Sequence, residues 1–148
     1  MSDDKEKIKV LFLCTGNACR SQIAQGWARH LKSNVMEAYS AGITPANAVN
    51  QIAVKVMAEA GIDISNQAPK HIDTLQNVEF DYVITLCDNA REYCPAFSGK
   101  AKLVHRPFED PSFMTGTEEQ IMTAFRTLRD DMKAFIEKMP ECLRETVK

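Results

Sequence analysis

The chain has no apolar stretch approaching the length of a membrane span, no run of basic residues, no internal repeat and no low-complexity tract. The first absence argues against a membrane partner. The second, together with a net charge of -2, removes the electrostatic footprint of a nucleic-acid binder. The charged start Met1–Lys7 lacks the apolar core of a signal peptide, so a cytoplasmic location is expected. No Cys-x-x-Cys occurs, and His30, His71 and His105 fall at no ligand spacing, so neither a metal nor a cofactor is expected. No linker divides the 148 residues, a length that suits one domain over 1–148 with one good core. A monomer is the default expectation. What is plentiful is cysteine, at positions 14, 19, 87, 94 and 142. In a cytoplasmic chain these should mostly be reduced thiols, and their number asks for a redox explanation.

The apolar pattern alternates between strands and helices. Lys9–Leu13 reads as a first strand, and Ile23, Ala24, Trp27, Ala28 and Leu31 mark a helix over Ser21–Lys32. Val35–Ser40 reads as a second strand ended by Ala41-Gly42, and Pro45-Ala-Asn starts a second helix that Gly61 stops. Lys70–Leu75 leads into a short helix. Asp81–Leu86 is a buried strand with Cys87 at its C-terminal end, and Lys102–His105 is a fourth, shorter strand. Apolar residues from Ile121 to Met139 form a helical stripe that ends at Pro140. Such alternation implies a parallel sheet covered on both faces, with right-handed crossovers. Ligands bind such sheets beyond the carboxyl ends of the strands, where Cys14, Cys87 and Asp110 should meet.

The stretch Cys14-Thr-Gly-Asn-Ala-Cys-Arg-Ser21 joins the first strand to the first helix. Unpartnered N–H groups in such a loop and at the helix start form an anion cradle. Gly16 and Asn17 are the residue types that most easily adopt a left-handed backbone and let the loop curl. Arg20 offers a planar fork matched to two oxygens of a tetrahedral oxyanion. The same positive field favours Cys14 as thiolate, the nucleophilic form. The loop is therefore suited to binding an oxyanion and attacking its central atom with sulfur.

The spacing cysteine–five residues–arginine resembles the signature of the low-molecular-weight tyrosine phosphatases and of the arsenate reductases that share their fold. The resemblance to the thioredoxin-coupled arsenate reductases extends along nearly the whole chain. It is carried by Cys14-Thr-Gly-Asn-Ala-Cys-Arg-Ser-Gln22, Tyr39-Ser-Ala-Gly42, Ile62-Asp-Ile-Ser-Asn66, Val83-Ile-Thr-Leu-Cys87 with Cys94-Pro95, and Phe108-Glu-Asp-Pro111. It implies an α/β fold with a four-stranded parallel sheet in strand order 2-1-3-4 and helices on both faces. The implied activity is reduction of arsenate to arsenite with thioredoxin as reductant, in the service of arsenic detoxification. Cys14 would attack arsenate, held by the loop residues Thr15, Gly16, Asn17, Ala18 and Cys19 and by Arg20. Asp110, or its neighbour Glu109, would donate a proton to the departing hydroxide. Cys87 and then Cys94 would carry the disulfide to thioredoxin. Ser21 would stabilise the Cys14 thiolate or serve only as a helix cap. Cys19 and Cys142 have no implied catalytic role.

A Cys87–Cys94 bond has a geometric consequence. Were Asp88–Cys94 helical, the two residues would lie about 10 Å apart along the axis, whereas a disulfide needs Cα atoms within roughly 4.4–6.8 Å. The segment, bounded by Pro95 and Gly99, would have to unwind. Some members of the resembling family also bind a structural potassium near the loop through Asn, Ser and two carboxylates. Here Asn17 and Ser40 match, but Gln25 and Lys70 stand where the acids would be, so no potassium dependence is expected. The competing readings are a tyrosine phosphatase, against which Asp110-Pro111 is followed by Ser-Phe and not by paired tyrosines, and a non-catalytic thiol sensor, which needs no oxyanion cradle.

Overall fold

Four of the apolar runs become parallel strands in a computed structural model that describes residues 7–87 and 101–146. These are β1 (Ile8–Cys14), β2 (Met36–Gly42), β3 (Tyr82–Thr85) and β4 (Lys102–His105), arranged in the order β2-β1-β3-β4. This is the sheet the resemblance implies. Register aligns the carboxyl ends: Cys14 lies opposite Gly42, Leu13 opposite Thr85, and Thr85 opposite His105. Val10, Leu11, Phe12 and Leu13 are fully buried. Because successive strand residues face opposite sides, β1 must be covered on both faces.

The helices are α1 (Arg20–Leu31), α2 (Gln51–Glu59), α3 (Glu118–Glu137) and the short α4 (Glu141–Thr146). Ile23, Ala24, Trp27 and Ala28 are buried as their spacing requires, and Trp27 Nε1 donates to the Arg129 carbonyl of α3. Thr117 and Gln120 form a reciprocal capping box that starts α3. Its Phe125, Leu128, Met132 and Ile136 form a buried stripe at helical spacing. Gly61, at φ +85°, ends α2 and takes the left-handed position that glycine favours. Among the described residues no helix is long and apolar enough to cross a membrane.

One expectation needs correction. The second helix does not begin at Pro45. Its first residue is Gln51, capped by Asn50, whose Oδ1 accepts from the Ile52 and Ala53 N–H groups. Residues 44, 46 and 50 instead give their N–H groups to carbonyls of the Cys14–Arg20 loop, and that competing use holds the segment out of a helix. The second strand does end at Ala41-Gly42, as expected, with both residues paired to β1 and Gly42 also bridged to His71. The short helix near Lys70–Leu75 is a 3-10 turn at Ile72–Leu75. A further 3-10 turn at Pro111–Phe113 and the helix α4 were not anticipated.

On the surface, Glu59 of α2 accepts from Arg126 and Arg129 of α3 at 2.9–3.0 Å. Hydrogen bonding to Arg126 leads the causes that hold the Glu59 carboxyl below its usual 4.5. A depressed folded-state value means that the contribution to stability is present above the unfolded value and fades as pH falls through the folded one. Glu59→Gln should therefore lower the melting temperature slightly at pH 7, a small effect for an exposed network. That gap should narrow progressively below pH 4.5. A gap that widens on acidification would contradict the assignment.

Candidate active site

The Cys14–Arg20 loop is shaped by where its carbonyls go. The Cys14, Thr15, Gly16 and Ala18 carbonyls accept from the N–H groups of Ile43, Thr44, Ala46 and Asn50, at 3.3, 2.8, 2.9 and 2.8 Å. In a trans peptide the N–H of the next residue points opposite to the carbonyl. With the carbonyls turned outward to this segment, the N–H groups of Thr15, Gly16, Asn17 and Cys19 turn the other way. The curl is taken by Asn17 alone, at φ +51°; Gly16, expected to share it, lies outside the left-handed region. Asn17 is fully buried and held from three sides: its Oδ1 accepts from Lys70 N–H, its carbonyl from Gln22 Nε2, and its Nδ2 donates to Ser21 Oγ.

The loop forms one wall of a cavity of about 450 Å³ lined by Cys14, Thr15, Gly16, Ala18, Cys19, Arg20, Asn50, Cys87, Asp110 and Ser112. Helix α1 starts at this cavity with no side-chain cap and no acid in its first turn, so its positive dipole end is left for an anion. Cys14 is a thiol 3.0 Å from Ser21 Oγ. The Asn17 amide donates into that oxygen at 2.7 Å, which leaves the hydroxyl hydrogen available to a Cys14 thiolate. Ser21 thus lies inside α1 as a partner of Cys14, and the cap position belongs to Cys19.

Arg20 reaches across from α1 to the loop after β4. Its Nη1 donates to the Phe108 carbonyl at 3.1 Å and its Nη2 to Asp110 Oδ2 at 3.3 Å. Among the described residues its Nε is buried with no partner, a donor whose hydrogen-bonding capacity is left unused. Asp110 uses its other oxygen to accept from Ser112 N–H and Oγ, so it is both the turn-former at Pro111 and the partner of Arg20. Glu109 is exposed and lines a neighbouring groove, not this cavity.

Cys87, just past β3, has its sulfur 3.2 Å from Thr15 Oγ1, which places a second sulfur in the wall that holds Cys14. Cys19 is a different kind of thiol. Burial, then the charges of Asp110 and Cys14, push it far above the ordinary thiol range, against the opposing pull of Arg20, and this disfavours the thiolate, the nucleophilic form. Cys142 packs near the Phe135 carbonyl, well down α3. Cys94, Pro95 and Gly99 lie outside the described residues. Asn50, Ser112 and the Phe108 carbonyl were missed from sequence; Asp-Pro-Ser was a legible turn signal for Ser112, whereas nothing local marks the other two.

Behind the loop, Lys70 Nζ donates to the Ser40 and Ala68 carbonyls at 3.3 and 3.1 Å. Gln25 faces Ser40 Oγ with its amide nitrogen and accepts from the Arg29 guanidinium at 2.8 Å with its oxygen. Burial, and then the Arg29 charge, lower the Lys70 ammonium from its usual 10.5. An ammonium on the Ser40 carbonyl beside a guanidinium does not fit a bound potassium ion. Among the described residues no group of three or more His, Cys, Asp or Glu could hold a metal.

The sequence that builds this loop, helix start and sheet matches a known family model. Residues 9–148 match the model of the low molecular weight phosphotyrosine protein phosphatases, and the chain belongs to that family. Within it the chain groups with proteins named arsenate reductase. It is 45% identical to one from Shouchella clausii over 89% of this chain and 94% of that protein. It is also 45% identical to one from Bacillus subtilis over 83% and 88%. A solved structure of an arsenate reductase in the phosphate-binding state superposes with a TM-score of 0.76 at 31% identity, covering 89% of this chain and 95% of that one. A low molecular weight tyrosine phosphatase from T. tengcongensis superposes at 0.71 with 26% identity, over 91% and 99%.

Two tests address this geometry. A Cβ at Gly42 would stand 2.6 Å from the Thr15 carbonyl and 3.0 Å from Asn17 Cβ. Gly42→Ala should therefore destabilise the protein by about 1–3 kcal/mol and weaken binding of inorganic phosphate; unchanged phosphate affinity would show that the loop does not depend on that close approach. Exchanging sodium for potassium should leave activity and melting temperature unchanged, and a marked rise with potassium would contradict the role given to Lys70.

Proposed function

We propose that this chain reduces arsenate to arsenite by a three-cysteine relay that ends on thioredoxin in the cytoplasm. The observation that carries the reading is the presence of Cys14, Cys87 and the Arg20 guanidinium in the wall of one cavity. The arsenate reductase relatives support the substrate, and the loop geometry supports the anion-binding step.

In this scheme the inward N–H groups of the loop, the α1 dipole and Arg20 hold arsenate. The Cys14 thiolate, hydrogen-bonded by Ser21, attacks arsenic, and hydroxide leaves with a proton from Asp110. Cys87, beside the Thr15 hydroxyl, attacks the Cys14 sulfur of the adduct. The arsenic–sulfur electron pair departs with arsenite, so As(V) becomes As(III) as a Cys14–Cys87 disulfide forms. Cys94 then attacks Cys87, releases Cys14 and leaves Cys87–Cys94 for a dithiol carrier. Arsenic(V) accepts two electrons from thiols readily, whereas phosphorus(V) does not. A phosphate adduct on the same loop could only be hydrolysed, and a second thiol in the wall would be idle.

The decisive assay is arsenate-dependent NADPH oxidation with thioredoxin and thioredoxin reductase. The parent chain should turn over, Cys14→Ser, Cys87→Ser and Cys94→Ser should not, and Asp110→Asn should lose about 10²-fold or more in kcat. Cys19→Ser should retain most of the activity. Turnover surviving both the Cys87 and Cys94 substitutions would move the electron source to a small thiol acting at Cys14. Absence of arsenate turnover with brisk hydrolysis of an aryl phosphate would make the protein a phosphatase.

A further inference from the structure

Arg20 is anchored by one side chain and one backbone group. The side chain, Asp110, is the candidate proton donor and must turn toward a leaving oxygen during reaction. The backbone group, the Phe108 carbonyl 3.1 Å from Nη1, has no such second duty. The position of that carbonyl is set by two features. The Phe108 N–H donates to the Leu86 carbonyl at 3.0 Å, continuing the pairing of β3 and β4 beyond their ends. The Phe108 ring packs against both Arg106, whose guanidinium lies 4.4 Å from its centroid, and Phe135 of α3, 5.8 Å away with a tilt of 52°. Arg106 also lies 5.6 Å from the Phe135 centroid and donates to the Pro107 carbonyl at 2.9 Å. Contacts of these two kinds are attractive in themselves, apart from the area they bury.

We infer that Phe108, in a three-way cluster with Arg106 and Phe135, is a positioning residue that fixes the Arg20 guanidinium for oxyanion binding. None of the three lines the oxyanion cavity, so their effect on a bound anion passes through Arg20. The cluster ties the substrate-facing arginine to the C-terminal half of α3. With the ring removed, residue 108 loses this contact with α3, the carbonyl is less firmly fixed, and the guanidinium relies more on the anchor that the reaction itself perturbs.

The inference rests on the anion-binding reading of the site, and titration with inorganic phosphate tests it without any arsenate turnover. In calorimetric titrations of the full chain, Phe108→Leu should weaken phosphate binding about tenfold, roughly the loss of one anchoring contact. Arg106→Ala should weaken it about threefold, whereas Phe108→Tyr, which keeps the ring, should stay within about twofold of the parent. Leu31→Ala, at the far end of α1 and about 17 Å from its start, is the control for general loosening: it should lower the melting temperature and leave phosphate affinity unchanged. In the arsenate assay the Phe108→Leu defect should fall on KM more than on kcat. Phosphate affinity unchanged in both Phe108→Leu and Arg106→Ala would overturn the inference, as would an equal loss in Leu31→Ala. Arg106 is exposed, so its substitution carries the test even if Phe108→Leu does not fold. A parent chain that binds phosphate but does not reduce arsenate would refute the reductase reading alone.

Discussion

The interaction on which the site depends is the set of backbone hydrogen bonds between the Cys14–Arg20 loop and residues 43–50. By accepting from that segment, the loop carbonyls are drawn to the outside of the curve, and their peptide N–H partners are turned to the inside. The buried amide of Asn17 locks the same curve by bonding Lys70 and Ser21. An anion cradle made this way is a property of the main chain. It also explains why β2 must end in a residue without a side chain, since Gly42 sits against the Thr15 carbonyl.

The four strands and three longer helices were legible because burial imposes period 2 or 3.6 on long segments, and the fourth strand, Lys102–His105, was placed to the residue. The convergence of Cys14, Cys87 and Asp110 was also legible, since parallel strands deliver their carboxyl ends to one edge. What escaped were features decided by long-range competition. Pro45-Ala-Asn looks like a helix start, yet the N–H groups of Ala46 and Asn50 are taken by carbonyls of the Cys14–Arg20 loop, far earlier in the sequence. Gly16 next to Asn17 suggested a shared left-handed curl, but only one residue is needed to turn this loop. The place of Ser21 could not be decided locally, because a serine at a helix start is a plausible cap wherever it occurs.

Three of the cysteines meet at the same edge of the sheet and are given different characters by their surroundings. Cys14 faces the Ser21 hydroxyl and a helix dipole, and Cys87 lies beside the Thr15 hydroxyl. Cys19 is enclosed away from water, with negative charge nearby, which disfavours its thiolate. Proximity alone does not make a cysteine reactive; desolvation without a compensating donor suppresses it.

Asp110 divides its work between its two oxygens. Oδ1 is held by Ser112 at the start of a short turn, and Oδ2 by Arg20. In the proposed reaction an arriving oxyanion would compete for the second of these bonds only, leaving Asp110 hinged at Oδ1. Oδ2 would then be released beside the group that displaced it, so that anion binding would come before any proton transfer from Asp110.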